Sequence, residues 1–457
     1  MTTASIAPEN TEFVILSFEG PDLYSLAGGL GVRVSNLSEA LADRGFRTHL
    51  FYVGDPKLKG EETRKNGNLV LHRWCQWLSE FYPRGVYEGE ADKVRDYYES
   101  IPAYVRDRVV RQATAHERAV VILGEEWHTA GTMCRLSEVL SEARLRNNAV
   151  MLWNANNTFG FERIDWRRLN RSVTLTTVSR YMKQIMRGMG LNPLVIPNGI
   201  PSSLLNGVDE RQASRLRSLF SADIMLTKVA RWDPDKCWLM AIEALARLKA
   251  RGAKPVLLAR GGIEAHGEAV LQRAESLGLI VRDAVATGSS VDEHMNAMAA
   301  CSDADMVNIR FHCPQELLRI MYHASDAVLA NSVHEPFGLV GLEAMAAGGV
   351  AFTGGTGEDY ALPFYNAIVL ETRDAAEIET YVLYLATNPL EADKLRRAGR
   401  QTAALYTWDE VLKNLCQRIE FQARRQGLLD SVAVVRDASK ERPIRDSKAE
   451  PQATSRT

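Results

Sequence analysis

The chain has 457 residues and a mass of 50.9 kDa, which is enough for two or three domains and excludes a single small binding module. Hydrophobic residues make up 46% and charged residues 25%, the average of a folded globular protein rather than of a disordered or collagen-like one. With 55 Lys and Arg against 57 Asp and Glu, the formal charge of -2 provides no global field that would draw the chain onto nucleic acid or anionic lipid.

The cysteines and the N-terminal residues favour a cytoplasmic protein. The six cysteines form no C-x-x-C pair, which argues against both a disulfide framework and a zinc ribbon. Residues 1–10 are largely polar and lack the apolar core of a signal peptide, and no segment approaches the roughly 18 consecutive apolar residues of a membrane span. His312, Cys313 and His323 fit no zinc-ligand spacing, so we expect no metal site.

The first half of the chain predicts one α/β domain over residues 1–198. A short apolar strand at 13–17 precedes a glycine-rich turn, apolar residues at helical spacing and a second strand at 48–53, which together form a βαβ unit. Further strands are predicted at 120–123, 150–153, 175–178 and 194–196. The intervening stretches are mostly long enough for helices, which is typical of a parallel sheet.

A second series of strands and helices predicts another domain over residues 199–405. It follows the polar stretch 202–209, with strands predicted at 224–230, 256–259, 306–309, 327–330 and 350–352. The fold class is therefore α/β, with two Rossmann-like doubly wound domains in tandem. Such domains bind ligands at the carboxyl ends of their strands, so we expect an interdomain cleft. Residues 429–457 lose the apolar periodicity, and we expect them to be disordered.

A glycine-rich loop is the first candidate binding element. Gly28, Gly29, Leu30 and Gly31 lie between the first strand and the first helix, where backbone amides at a helix N-terminus can approach a phosphate or a sugar. Glycines also serve turns for steric reasons alone, and that reading stays open. The string is neither G-x-G-x-x-G nor a P-loop, which removes the main support for nicotinamide or P-loop binding.

Two cations follow the first strand of the second domain. Arg231 and Lys236 lie between that strand and a helix, a position from which a guanidinium fork and an ammonium group can hold a diphosphate. The alternative is a solvated turn before an ordinary helix.

Two glutamates follow the strand at 327–330. Glu335 falls in the connecting loop and Glu343 on the next helix, so both carboxylates can face the same crevice and accept hydrogen bonds from sugar hydroxyls. The free amides from Gly338 to Val340, at the helix N-terminus, suit a diphosphate. The alternative is that these carboxylates only complement the helix dipole.

These motifs together resemble the retaining nucleotide-sugar glycosyltransferases related to glycogen and starch synthases. The resemblance rests on E-x7-E from Glu335 to Glu343 with Phe337, Gly338 and Leu339 inside it, on Arg231 and Lys236, and on the glycine loop. The segments 195–200 and 406–408 also look like that family, and the matches span residues 13–425 in the family's order.

The resemblance implies a GT-B fold, with the acceptor bound by the first domain and the nucleotide-sugar donor mainly by the second. Residues 406–428 would then form a last helix that crosses back to the first domain. Arg231 and Lys236 would hold the donor diphosphate, Glu335 would contact the hexose and Glu343 the ribose. The remaining donor-binding positions implied are Gly28, Gly29, Leu30, Gly31, Phe337, Gly338, Leu339 and Val340. The family uses no cofactor and usually no divalent metal, because cationic side chains and helix ends take that role.

The first domain departs from the family's pattern. Glycogen and starch synthases carry a His-Asp-Trp-His-like run, whereas this chain reads Glu-Glu-Trp-His from Glu125 to His128. The family's histidine after the next strand is replaced by Asn154, which can hydrogen-bond a sugar hydroxyl but carries no charge. Asn154, His128 and Glu125 are the candidates for its role, and His128 has the alternative of simply packing beside a helix.

The resemblance implies transfer of a hexosyl group, with glucosyl favoured, to a carbohydrate or other hydroxyl acceptor with retention. Two alternatives stay open, a nucleotide-sugar epimerase and a protein that binds the donor but has lost transfer. An aromatic-rich stretch in the first domain suits either a sugar or, as we favour, the core or a homo-oligomer interface. Its members are Trp74, Trp77, Phe81, Tyr82, Tyr87, Tyr97, Tyr98 and Tyr104.

Overall fold

A computed structural model describes residues 5–333, 335–355 and 357–429 of the chain. These residues form two α/β units, each built on one sheet. The predicted tail of 429–457 lies outside the described residues except for Leu429. No helix in the described ranges combines the length and apolarity that crossing a membrane requires.

The first unit contains an eight-stranded sheet with the strand order β3-β4-β2-β1-β5-β6-β7-β8. Its strands are β1 (Thr11–Leu16), β2 (Arg47–Val53), β3 (Glu61–Arg64), β4 (Leu69–Trp74), β5 (Ala119–Glu125), β6 (Ala149–Ala155), β7 (Thr174–Thr177) and β8 (Leu194–Val195). Neighbouring strands are parallel except for the edge pair of β3 and β4. Its helices are α1 (Gly29–Asp43), α2 (Gln76–Phe81), α3 (Glu90–Tyr104), α4 (Arg111–Ala115), α5 (Trp127–Glu142), α6 (Trp166–Ser172) and α7 (Arg180–Gly188).

The second unit contains a seven-stranded parallel sheet with the order β11-β12-β10-β9-β13-β14-β15. Its strands are β9 (Ile224–Val229), β10 (Pro255–Arg260), β11 (Val281–Ala284), β12 (Met306–Ile309), β13 (Ala327–Ala330), β14 (Ala351–Thr353) and β15 (Ile368–Val369). The remaining helices are α8 (Glu210–Ser218), α9 (Trp238–Ala250), α10 (His266–Ser276), α11 (Val291–Ala299), α12 (Gln315–Ala324), α13 (Leu339–Ala346), α14 (Ala375–Thr387), α15 (Pro389–Ala404) and α16 (Trp408–Arg425).

The predicted fold class is confirmed, and the predicted βαβ unit is present as β1, α1 and β2, with β1 and β2 parallel. Four strands escape the sequence pattern. Of these, β3 and β11 lie at sheet edges, where β3 is polar throughout and β11 is half polar, β15 has only two residues, and β4 includes the buried His72 and Arg73. A strand that does not alternate apolar and polar residues has no period of two in its hydrophobicity, so it is not predicted from the sequence.

Helix α16 packs on the first sheet rather than on the second. Its apolar side from Trp408 to Ile419 shares a buried cluster with Val34 and Leu37 of α1 and with residues of β1, β2 and β5. The Arg33 guanidinium also lies 5.8 Å from the Trp408 ring. The last helix therefore covers one face of the first sheet, and α3, α5, α6 and α7 contribute to the buried cluster on the other.

Strand order identifies where a ligand can lie. In each sheet the order turns around beside the first strand of the unit, between β1 and β5 and between β9 and β13. At such a point the loops after two neighbouring strands diverge, which opens a crevice at the carboxyl ends of the strands.

Candidate active site

A cleft of about 670 Å³ lies between the two units, at the carboxyl ends of these strands. The first unit contributes Tyr87 and residues after β1, β5 and β6, and the second contributes the end of β9 and the residues after it, the end of β13 and the residues after it, and the start of α13. Predicted site residues that line the cleft are Gly28, Gly29, Leu30, His128, Arg231, Lys236, Glu335, Gly338 and Val340. Those that do not line it are Gly31, Glu125, Asn154, Phe337, Leu339 and Glu343.

A glutamate holds the glycine loop in shape. Oε2 of Glu19 accepts hydrogen bonds from the amides of Gly28 at 2.9 Å and Gly31 at 3.0 Å, and its Oε1 accepts one from the Tyr87 hydroxyl. A Cβ at Gly31 would lie 3.1 Å from Oε2 of Glu19 and 3.2 Å from the carbonyl oxygen of Gly20, so a side chain there would press on the contacts that hold the loop. The loop thus brings the N-terminus of α1 to the cleft with Glu19 beside it.

The two predicted cations differ in exposure. Arg231 has a side chain that is 65% exposed and lies 3.0 Å from Asp233. Lys236 is only 12% exposed, and its Nζ lies 3.6 Å from Asp235 and 3.4 Å from Oε2 of Glu335. The ammonium group of Lys236 is therefore held at the cleft wall by two carboxylates, whereas the more exposed Arg231 has one carboxylate beside it.

A third cation, Lys228, lines the cleft and was not predicted. Its Nζ donates to Oδ1 of Asn331 at 2.6 Å and to the carbonyl of Leu329 at 3.2 Å, and lies 5.3 Å from the Trp238 ring. Burial, with a smaller contribution from the nearby charge of Lys236, lowers the pKa of Lys228 to about 7. The signal in the sequence was a single lysine inside an otherwise apolar strand of a parallel sheet.

Replacing Lys228 with methionine is expected to change how stability depends on pH. Since the folded protein releases a proton near pH 7 that the unfolded chain keeps until about pH 10, wild-type stability rises through this interval. The free energy of unfolding of wild type minus that of Lys228→Met should therefore increase, by about 1 kcal/mol or more, between pH 6 and pH 9. Urea unfolding at both pH values measures it. Lys254→Met, at an exposed lysine before β10, is the control. If the difference between wild type and Lys228→Met were the same at both pH values, the lowered pKa of Lys228 would be contradicted.

The loop before α13 brings Glu335 to the cleft and buries its aromatic neighbour. Gly338 adopts a left-handed conformation at φ 80°, immediately before α13, and its carbonyl accepts a hydrogen bond from the Tyr360 hydroxyl. Phe337 is buried, with its ring 5.6 Å from that of Tyr360. The N-terminal amides of α13 therefore lie at the cleft, and the buried Phe337 ring anchors the loop.

Glu343, on α13, is half-buried and has no ion pair among the described residues. Burial raises its pKa to about 7, and the charge of Glu335 adds to the effect. A carboxyl group in this state gains from ligand hydroxyls, which can hydrogen-bond either its protonated or its ionised form.

Glu343→Gln is expected to stabilise the protein more at high pH than at low pH. The folded protein keeps a proton that the unfolded chain loses near pH 4.5, so the wild type loses stability as pH rises from about 4.5 to 7. Glutamine does not titrate and so has no such cost. The free energy of unfolding of Glu343→Gln minus that of the wild type should therefore be larger at pH 8 than at pH 5 by about 1 kcal/mol or more. Urea unfolding at both pH values tests this against Glu391→Gln, a change on α15. An equal change in the free energy of unfolding at the two pH values would contradict the prediction.

Glu125 and Asn154 lie beneath the cleft rather than in it. Both carboxylate oxygens of Glu125 are 3.3 Å from Nε of Arg33, and Oε2 accepts hydrogen bonds from Asn154 at 2.9 Å and Asn156 at 2.8 Å. Arg33 also donates to Asn198, in the link between the two units. These contacts tie the ends of β5 and β6 to α1, so Glu125 and Asn154 support the cleft from behind.

Glu126, the next residue, lines the cleft instead. It adopts φ 65° and ψ 167°, a region that costs a residue other than glycine about 1–3 kcal/mol. Its Oε1 accepts a hydrogen bond from the Asn156 amide at 2.6 Å, and its carbonyl accepts one from Nε1 of Trp153 at 3.0 Å. Burial raises the pKa of Glu126 to about 8, so the group is mostly protonated at neutral pH and can donate a hydrogen bond.

His128 combines a packed ring with an unsatisfied nitrogen. Its ring stacks 4.2 Å from that of Phe18, and Nε2 lies 2.9 Å from Oε1 of Glu90. Burial lowers the pKa of His128 despite this carboxylate. Nδ1 is buried and has no hydrogen-bond partner in the part of the chain that the structure describes. His128 therefore packs against its neighbours, and its Nδ1 can also form a hydrogen bond with a ligand.

The aromatic-rich stretch does not form one surface. Tyr97 is fully buried in the core, Trp77 and Phe81 are exposed away from the cleft, and Tyr87 lines the cleft. His312, Cys313 and His323 form no metal cluster, and the described ranges contain no group of three or more His, Cys, Asp or Glu side chains that could hold a metal ion.

Two family models match the chain in tandem. Residues 27–204 match the model described as Glycosyltransferase Family 4, and residues 211–402 match the one described as Glycosyl transferases group 1. The D-inositol 3-phosphate glycosyltransferase of Thermomonospora curvata is 23% identical over 414 residues, which cover 88% of this chain and 83% of that protein. The protein of the same name from Geodermatophilus obscurus is 25% identical over 239 residues, 51% of this chain and 49% of that one.

Solved structures share the two-sheet architecture. Sucrose-phosphate synthase from Thermosynechococcus elongatus has a TM-score of 0.64 at 19% identity, covering 91% of this chain and all of that one. The catalytic domain of starch synthase IV from Arabidopsis thaliana, bound to ADP and acarbose, has a TM-score of 0.60 at 17% identity, with 91% and 99% coverage. Anabaena HepE in complex with UDP-glucose has a TM-score of 0.55 at 14% identity, with 90% and 99% coverage.

Proposed function

Because the chain belongs to the glycosyltransferases with the GT-B fold, we propose that it transfers a hexosyl group from a nucleoside diphosphate sugar to a hydroxyl acceptor with retention. The observation that carries the proposal is the distribution of charge in the cleft. Lys228, Arg231 and Lys236 all line it from the second unit, next to the first amides of α13. On that side a diphosphate would meet the charges of Arg231 and Lys236 and the amides at the helix N-terminus.

The sugar donor would lie along the second unit. Arg231 and Lys236 would hold the diphosphate, with Lys228 beneath it, and Glu335 would accept hydrogen bonds from the hexose. The predicted contact of Glu343 with the ribose hydroxyls stays a prediction, because Glu343 does not line the cleft. Support for a nucleotide-sugar donor also comes from the neighbouring structures, which contain ADP in one case and UDP-glucose in another.

Retention would proceed on one face of the sugar. The bond from the anomeric carbon to the leaving phosphate oxygen breaks, the acceptor oxygen bonds to the same face, and the leaving oxygen takes the acceptor proton. Lys236 and Arg231 would stabilise the negative charge that develops on the leaving group. No protein nucleophile is required, which suits a cleft whose first-unit carboxyl groups are held by backbone amides.

The proposal is tested by nucleotide release together with product analysis. The protein is incubated with UDP-, ADP- or GDP-hexose and a panel of hydroxyl acceptors, and the anomeric configuration of the product is read by NMR. We expect free nucleotide and a glycosylated acceptor with the configuration of the donor. An inverted product would exclude retention, an isomeric sugar without a glycosylated acceptor would indicate an epimerase, and binding without release would indicate a protein that has lost transfer.

A further inference from the structure

The first unit lines the cleft without a single lysine or arginine among its described residues. The titratable side chains on that side are Glu19, Tyr87, Glu126 and His128. The three cations of the cleft come from the second unit, where the proposed sugar donor already engages them. A phosphate group on the acceptor would therefore enter a partly buried site without a counter-charge, which is strongly unfavourable.

The same side of the cleft presents large apolar side chains to solvent. Leu26, Val32, Tyr87 and Phe159 are exposed and line the first-unit side, with Phe159 at 67% exposure. Trp127 lies beside them. Aromatic and aliphatic faces of this kind pack against the C–H faces of sugar rings or against an aromatic group attached to a sugar.

Polar groups among these apolar residues suit hydroxyls. Nδ1 of His128 is buried without a partner in the described chain, and Glu126 carries its carboxyl group in a strained backbone position at the cleft wall. Both groups are neutral hydrogen-bonding partners at pH 7, because burial lowers the pKa of His128 and raises that of Glu126. Such groups match a hydroxyl, which can both donate and accept, better than a phosphate ester.

Arginines do occur in an adjoining cavity of about 370 Å³, which shares Trp127 and His128 with the cleft. Each of its three arginines has a carboxylate nearby, since Arg163 lies 3.2 Å from Glu90, Arg168 lies 2.7 Å from Glu138, and the exposed Arg95 lies 4.0 Å from Asp92. The Arg163 guanidinium also covers the Trp127 ring at 4.5 Å. None of these arginines lines the cleft itself, and a phosphate bound by them would compete with these carboxylates.

From this arrangement we infer that the acceptor is an uncharged, hydroxyl-rich molecule with an apolar face, such as an unphosphorylated sugar, polyol or aryl glycoside. The inference rests on the proposed function, because it assigns the first unit to the acceptor. It predicts that this chain does not prefer phosphorylated acceptors, and it names Phe159 as a residue that determines acceptor specificity.

The experiment compares matched acceptors with one sugar donor. Glucose is paired with glucose 6-phosphate, inositol with inositol phosphate, and phenyl glucoside is added, and nucleotide release and product mass are measured for each. We expect kcat/KM to be at least about 100-fold lower for each phosphorylated member than for its neutral partner. Phenyl glucoside should exceed glucose by about 5- to 10-fold.

Three variants locate the effect. Phe159→Ala should lower kcat/KM for phenyl glucoside by about 5- to 10-fold, because one aromatic contact is lost. Trp77→Ala, an exposed aromatic outside the cleft, and Arg163→Gln should leave the use of neutral acceptors within about 2-fold of wild type. If Arg163→Gln instead abolished use of a phosphorylated acceptor, the adjoining cavity would be a phosphate site and the inference would be overturned.

The outcomes separate the inference from the proposed function. Preference for a phosphorylated member, or no use of any neutral member while UDP-glucose or another nucleotide sugar still stabilises the protein, would overturn the acceptor inference alone. Absence of both stabilisation and nucleotide release with every nucleotide sugar would instead overturn the proposed function.

Discussion

Replacing Lys236 with alanine is expected to lower kcat/KM for the nucleotide-sugar donor by about 100- to 1,000-fold, the usual cost of removing one group that stabilises developing charge. Lys236 lines the cleft and is held between Asp235 and Glu335, so its ammonium group is in place before the diphosphate arrives. Steady-state nucleotide release at varied donor concentration measures the loss. Since the side chain is at the surface of the cleft, the variant should fold as the wild type does.

Two further variants make this result specific. Lys236→Arg keeps the charge and should recover part of the activity, because a guanidinium also binds phosphate. Lys249→Ala, at the far end of α9 and paired with Asp305, should leave donor use within about 2-fold of wild type. Equal losses in Lys236→Ala and Lys249→Ala would mean that the cleft lysine has no special role.

The second large effect is expected at Glu335. Glu335→Gln should lower kcat/KM for the sugar donor by about 10- to 100-fold, since a hydrogen bond to a charged group contributes about 1.5–3 kcal/mol. Binding of the free nucleoside diphosphate should stay unchanged or become tighter, because Lys236 loses a competing carboxylate at 3.4 Å. Calorimetric titration with the nucleotide, beside donor kinetics, separates the two effects.

Asp235→Asn is the matched control for Glu335→Gln. Asp235 also neutralises Lys236, at 3.6 Å, but it does not line the cleft and would not reach the hexose. We expect its donor kinetics to stay within about 3-fold of wild type. Should Glu335→Gln weaken the nucleotide and the nucleotide sugar alike, Glu335 would act only by holding Lys236, and its assignment to the hexose would be wrong.

Much of the fold could be predicted because long parallel sheets leave a strong record in the sequence. The buried strands β1, β5, β9 and β13 are short apolar runs, and each is followed by a loop with glycine or charged residues. These same loops meet at the point where the strand order turns, so a prediction of the sheet also places the candidate residues at one cleft. Gly28, Lys236 and Glu335 reach that cleft from distant parts of the chain for this reason.

The back of the site could not be predicted, because it depends on side chains that meet only in three dimensions. The sequence prediction named Glu125 and not its neighbour Glu126, but the end of β5 turns Glu125 towards Arg33 and leaves Glu126 at the cleft. Successive residues at a strand end point to opposite sides, and the strained backbone of Glu126 fixes which of the two faces the ligand. Arg33 and Lys228 were overlooked because each is a single charge within an apolar segment.

Asn154, which stands where the family has a histidine in the first unit, does not take over the role of that histidine at the cleft. Asn154 hydrogen-bonds Glu125, which in turn binds Arg33, so this position belongs to a buried polar network rather than to the cleft wall. Glu126 and His128 are among the hydrogen-bonding groups that line the cleft from the first unit instead. The proposed reaction needs only orientation of the acceptor on this side, because the leaving phosphate accepts the proton.

The most direct test of the account is thermal unfolding of the wild type and Lys236→Ala with UDP-, ADP- and GDP-sugars, with free nucleotide assayed in the same samples. At about 100 times its Kd, a bound donor stabilises the folded protein by about 2.7 kcal/mol. We expect at least one nucleotide sugar to stabilise the wild type, this stabilisation to be lost in Lys236→Ala, and the matching nucleotide to be released. If no nucleotide sugar stabilised the wild type, the second unit would not be the donor site, and the account would be contradicted.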